Sequence, residues 1–179
     1  MNTKTIYIVV AVLIVVIVVG VAGYYYLYNP GNSETTPTPT PTPGPTVEGA
    51  SNVQFSVNET STATGDLVGY NFICKNYNTA EEVVRVDVCI GADTYSYILD
   101  AGQEKSWMSM DGGTTWTEST FGTTTGDWAT YGSLFNDFAG KLIEQGNTND
   151  LSYTTDTASI TIYCVAVNQT IDDSVFATS

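Results

Sequence analysis

Histidine is missing from this 179-residue chain. Its absence removes the commonest general base, the usual hydrolytic triads and most zinc sites. Cations are nearly as scarce: Lys and Arg number 5 against 19 Asp and Glu, for a formal net charge of -14. Lys4 stands near the N-terminus, so the rest of the chain holds only Lys75, Arg85, Lys105 and Lys141. A field of that sign repels phosphate backbones and anionic headgroups, and nucleic acid is excluded as a partner. The three cysteines contain no Cys-x-x-Cys, which leaves metal and redox centres without their usual ligands. The acidic residues follow no EF-hand spacing. No metal or cofactor is expected, and the acidity reads as surface solvation.

What the sequence does hold is one long apolar run. Ile6 to Gly23 carries no charge, and Tyr24, Tyr25, Tyr26, Leu27 and Tyr28 extend it. About 20 apolar residues at 1.5 Å each cross a hydrocarbon core of roughly 30 Å. The tyrosines suit the headgroup boundary, and Lys4 on the N-terminal side places that end in the cytoplasm. The reading is a single-pass helix over residues 6–28 after a cytoplasmic stub at 1–5, with everything C-terminal outside the cell membrane. A cleaved signal peptide is the alternative, since Val21-Ala22-Gly23 offers small residues. The run is longer than a signal core of about 7–15 residues, which favours the uncleaved anchor.

Residues 29–50 read as an extracellular stalk. Within it, 35–46 alternate Thr and Pro, a composition that favours extended polyproline II and spans on the order of 37 Å over twelve residues. Thr-Pro tracts also carry O-glycans. Asn58 and Asn168 each begin an N-glycosylation pattern, which fits an exported location.

Residues 51–179 are of ordinary domain size. Apolar and polar residues alternate through Val53/Phe55/Val57, Val68/Tyr70/Phe72/Cys74 and Val84/Val86/Val88/Ile90, as strands require. Asn76 to Thr79 mark a turn between the second and third. Further strands are expected at about 94–100 and 105–110, then a hairpin at Asp111-Gly112-Gly113 and a strand carrying Trp116. Trp128, Tyr131, Phe135, Phe138 and Leu142 recur at helical spacing and predict one helix over about 127–145. Asp127 or Thr125 is placed to cap its start and Gly146 to end it. Ile160, Ile162, Cys164 and Ala166 alternate in a last strand. The expected class is α+β: a mostly antiparallel, curved, half-barrel-like sheet covered by one α-helix.

Strand parity bears on the cysteines. Cys74 shares a face with Tyr70 and Phe72, whereas Cys89 shares one with Arg85 and Asp87, so a hairpin points them apart. Cys164 lies on the apolar face with Ile160 and Ile162. If a disulfide forms, Cys74–Cys164 is the candidate; three free thiols are the alternative.

The run Tyr97 to Gly102, Lys105-Ser106-Trp107, Asp111-Gly112-Gly113 and Trp116, together with the tail from Asn168 to Phe176, resembles periplasmic lipoprotein-carrier (LolA/LppX-like) half-barrels. Archaeal secreted proteins with an N-terminal anchor and a Thr/Pro tether are similar in layout. The resemblance covers about residues 66–118 and 158–178. It implies a curved sheet with an apolar concave face suited to an acyl or isoprenoid chain. The domain is shorter than a full carrier and is tethered, which argues against shuttling between two membranes.

Two non-enzymatic readings follow. In the first, the domain binds a lipid or other apolar molecule. Its lining comes from Tyr70, Phe72, Val86, Val88 and Tyr97, from Trp107 and Trp116, and from the helical Trp128, Tyr131, Phe135 and Phe138. In the second, it is a structural or adhesive envelope protein, contacting other envelope proteins without a cavity. A carboxylate-based hydrolase lacks a paired-carboxylate signature: Asp93 and Asp111 read as turn formers.

Overall fold

A computed structural model describes residues 45–178. The anchor and the stalk up to residue 44 lie outside the described residues, within which no helix is long and apolar enough to cross a membrane.

Eight strands form one open antiparallel sheet: β1 (Asn52–Ser61), β2 (Leu67–Lys75), β3 (Val83–Ile90), β4 (Asp93–Asp100), β5 (Lys105–Ser109), β6 (Thr117–Ser119), β7 (Leu151–Thr154) and β8 (Ala158–Val167). Their order is β6-β5-β4-β3-β2-β1-β8-β7. The first six follow one another as a meander, because each connection is short enough to return the chain beside the strand it left. Between β6 and β7 come a π-helical turn (Trp128–Gly132) and the helix α1 (Ser133–Gln145). Antiparallel strands plus one helix make the domain α+β.

Register defines the two faces. Val57, Tyr70, Val88 and Tyr95 pair in one row, and Phe55, Phe72, Val86 and Tyr97 line the next within β1 to β4. Period-two alternation sends these rows to the same side, the inner face, where α1 lays Phe135, Phe138 and Leu142 against them. Packing reaches further toward the N-terminus than the expected boundary at residue 51, since Val47 and Ala50 are buried in the same core.

The ends of α1 follow from two glycines. Gly146 adopts φ 74°, and its N–H bonds back to the carbonyls of Leu142 and Ile143, ending the helix as expected. At the start, Asp127 makes no side-chain cap bond. Its Oδ2 instead accepts from the Ser106 hydroxyl at 2.8 Å, tying the turn to β5. Gly132 lets the Trp128 indole pack onto the backbone: a Cβ there would stand 2.8 Å from the Trp128 ring.

Strand β8 departs from simple alternation. Its register against β1 shifts between Gln54 and Ser56, so Phe55 faces two residues, and Cys164 takes a left-handed φ of 54°. This bulge turns Cys164 outward and lets Val165 and Val167 pack on the core. The expected Ile160/Ile162/Cys164/Ala166 face therefore breaks after Ile162.

All three cysteines are free, so the Cys74–Cys164 bridge is corrected. Strand β1 lies between β2 and β8. Two strand spacings of about 4.8 Å each put the Cα atoms beyond the roughly 7 Å limit for a disulfide. Cys74 is buried and its thiol is pushed well above the ordinary range, first by burial and then by the nearby Glu82 carboxyl. Cys89 and Cys164 are exposed. Alkylation of the folded chain without reductant should therefore modify two thiols, and a third only in denaturant. Modification of a single thiol in denaturant would restore the bridge.

Candidate functional site

The eleven aromatic and aliphatic candidates do not gather around one cavity. Phe72, Val86, Val88, Phe135 and Phe138 are core residues in mutual contact. Phe135 stacks on Phe55 with ring centroids 5.5 Å apart and meets Phe72 at 5.8 Å and Tyr77, edge-on, at 5.7 Å. Helix α1 thus fills the part of the inner face it covers.

Tyr70, Tyr97, Trp128 and Tyr131 are half-buried around that core. The Tyr97 and Tyr131 rings lie 4.3 Å apart. Burial, and next the hydrogen bond with Tyr97, push the Tyr131 hydroxyl upward in pKa. Tyr70 is raised by burial and then by the carboxylate of Glu59, an acidic residue of β1 on the inner face. Beyond these tyrosines the inner face is uncovered, and Ile90 is 50% exposed there.

Trp107 and Trp116 belong to the other side of the sheet. The β4–β5 register pairs Tyr97 with Met108 and Ile98 with Trp107, so parity sends Trp107 to the outer face. Trp116 lies in the β5–β6 loop, where Arg85 of the outer face stands 5.7 Å from its ring centroid. That loop is built on Asp111, whose carboxylate accepts from the Ser109 hydroxyl, from the Thr114 and Thr115 N–H groups and from the Thr115 hydroxyl. These bonds, the Ser109 hydroxyl foremost, hold its pKa far below the usual carboxylate range. Asp111 is fully committed to the turn, as its Asp-Gly-Gly sequence implies.

The outer face carries a feature that alternation did not reveal. After β8 the chain runs back across the sheet as a strap containing a 3-10 turn (Asp173–Phe176), capped by Asp172, which accepts from the Ser174 N–H at 2.8 Å. Two of the scarce cations hold it. Lys75 pairs with Asp173, and Arg85 Nη1 donates to the Val175 carbonyl at 3.0 Å while its Nε pairs with Asp87 at 3.1 Å. Between strap and sheet lies a cleft of about 460 Å³ over the lower ends of β2 to β5. The clue in the sequence was Tyr97-Ile98-Leu99, an apolar triplet that covers both faces of β4; Ile98 is buried on the outer side.

The two glycosylation candidates differ in setting. Asn58 is half-buried within β1 and accepts from the Tyr163 hydroxyl at 3.4 Å. Asn168 is exposed after β8, its Oδ1 accepting from the Ser51 N–H at 2.7 Å. Among the described residues no group of three or more Cys, Asp or Glu is arranged to hold a metal ion.

No family model matches this chain, and no curated protein or solved structure is significantly similar to it. Fold and site define an α+β domain with an open antiparallel sheet, an inner face packed where α1 covers it, and a cleft on the outer face.

Proposed function

We propose that this chain is a non-enzymatic, membrane-anchored module displayed outside the cell, working through contacts made on the surface of a solid β-sheet scaffold. The filled inner face carries this reading. Phe55, Phe72 and Phe135 are all within 1% of complete burial, so α1 and the centre of the sheet are in direct, close-packed contact. The apolar run at 6–28 and the Thr/Pro tract support the membrane and extracellular parts of the proposal.

A second reading keeps the lipoprotein-carrier resemblance and an apolar ligand. It is supported by the uncovered end of the inner face, where Tyr70, Tyr97 and Tyr131 are half-buried beside exposed Ile90.

A membrane-impermeant maleimide tests the first reading on intact cells that express the full chain. Cys89 and Cys164 should be labelled before lysis. Labelling only after lysis would end the surface assignment. Native mass spectrometry of the purified chain separates the two readings: a stoichiometric acyl or isoprenoid mass favours the second, and a bare protein mass the first.

A further inference from the structure

We infer that the outer-face cleft between the sheet and the C-terminal strap is a binding site for a neutral carbohydrate. The inference rests on the surface-module reading and gives that module a ligand class.

The floor of the cleft is apolar. Ile98 and Trp107 pair directly across β4 and β5, and Val83 contributes from the next row, where it pairs with both Lys75 and Asp100. Phe176 of the strap supplies a second ring. Trp107 is half-buried and lines the cleft, and an indole so placed is the kind of side chain that stacks on the C–H side of a pyranose.

The rim is polar, and its one cation is already paired. Lys75 is paired with Asp173. Asp100 accepts from the Gln103 N–H at 2.9 Å and from its Nε2 at 2.6 Å; these bonds fix the carboxylate and leave it charged, so the rim turns anions away. These bonds leave Gln103 Oε1 without a donor among the described residues. Asn76, whose Nδ2 donates to the Glu81 carbonyl at 3.0 Å, likewise keeps its Oδ1 free of any donor among the described residues. Planar acceptors held in place by their own donors match hydroxyl groups, which can both give and accept.

An apolar floor ringed by fixed polar groups is the general pattern of small-molecule sites, and the volume lies within their usual range of about 300–1,000 Å³. Sugars display that same pairing: one C–H face and an edge of hydroxyls. The net charge of -14 disfavours anionic ligands here. A cleft running over four strands is about 14 Å long at 4.8 Å per spacing, which suits an oligosaccharide more than a single ring.

The test is titration of the full chain in detergent with mannotriose, chitotriose and cellotriose, read by tryptophan fluorescence and by saturation-transfer NMR on the sugar. At least one should bind, with a blue shift that vanishes in Trp107→Ala. Trp107→Ala should weaken binding by tenfold or more, Trp107→Phe less, and Gln103→Ala severalfold. Trp128→Phe, on the opposite face, should leave it unchanged. Thermal melts establish that each variant is folded; if Trp107→Ala is not, Trp107→Phe and Gln103→Ala decide. No binding of any of the three at millimolar sugar, or binding insensitive to these substitutions, would overturn the site. Failure here with maleimide labelling intact removes only the sugar, whereas loss of labelling removes the surface module and leaves the titration result standing.

Discussion

Replacing Phe135 with alanine is expected to lower folding stability by about 3–5 kcal/mol, the range for deleting a large aromatic from a close-packed core. The ring is fully buried and meets Phe55, Phe72 and Tyr77 at centroid distances of 5.5–5.8 Å. Each such aromatic pair adds roughly 0.5–1.5 kcal/mol beyond area burial. Against a typical domain stability of about 5–15 kcal/mol, the loss would leave the variant marginal. Urea denaturation should show the midpoint falling by roughly 2 M with an unchanged slope. Phe135→Leu should keep most of the stability. The measurement also bears on function, because a loss under about 1 kcal/mol would mean that the ring borders open space, and the apolar-ligand reading would then take precedence.

Glu82→Gln is expected to make the protein more stable at alkaline pH, an unusual result for removal of a native charge. Glu82 sits just before β3 and is 5% exposed. Its Oε2 accepts from the Asn78 N–H at 2.7 Å, but its Oε1 has no partner. Burial raises its pKa, and the Asn78 bond only partly offsets this. The thiol of Cys74 and the hydroxyl of Tyr77 are the titratable groups beside it, and both are raised by burial and by Glu82. Between the ordinary Glu value and the raised folded one, the folded state therefore holds a proton that the unfolded chain has released. By linkage, stability is fully present below the ordinary Glu value near 4.5 and declines as pH rises through the raised folded value.

Glutamine keeps the acceptor for Asn78 and cannot ionise. Its gain over the native protein comes from removing the ionised buried form, so it should be largest at about pH 8–9 and shrink toward about pH 4. Asp111 and Asp172, with pKa values lowered by their turn hydrogen bonds, act in the opposite sense, with stability lost only as pH falls below the ordinary Asp range. They do not disturb the alkaline comparison. Parallel stability curves for the native protein and Glu82→Gln between about pH 4 and pH 9 would rule out a buried proton on Glu82.

Much of the fold was legible along the chain. Alternation located β2 to β5 to within a residue or two and the first half of β1 (Asn52–Ser61), because strands packed on one face must repeat every second position. The 3,4 spacing from Trp128 to Leu142 marked α1, and Gly146 marked its end. Strand β7 was not foreseen, since Leu151 and Tyr153 are a short edge pair in a polar stretch that alone gives little periodic signal. The bulge at Cys164 hid for a related reason: one extra residue reverses parity, and alternation read straight through it assigns the wrong face.

The lack of histidine, the strong negative charge, the apolar run at 6–28 and the period of each element are properties of neighbouring residues, so they can be read without knowing where the chain goes. Which aromatics meet is a property of register between strands far apart in sequence. Trp107 was grouped with Tyr97 as aromatics on elements that could face one another, yet pairing Tyr97 with Met108 sends the indole to the opposite side of the sheet. The packing of α1 against Phe55 and Phe72, and the return of the strap to Lys75 and Arg85, are also long-range events. Tertiary structure therefore decided that Phe72, Val86, Val88, Phe135 and Phe138 pack together as core, and it placed an open cleft on the outer face of the sheet.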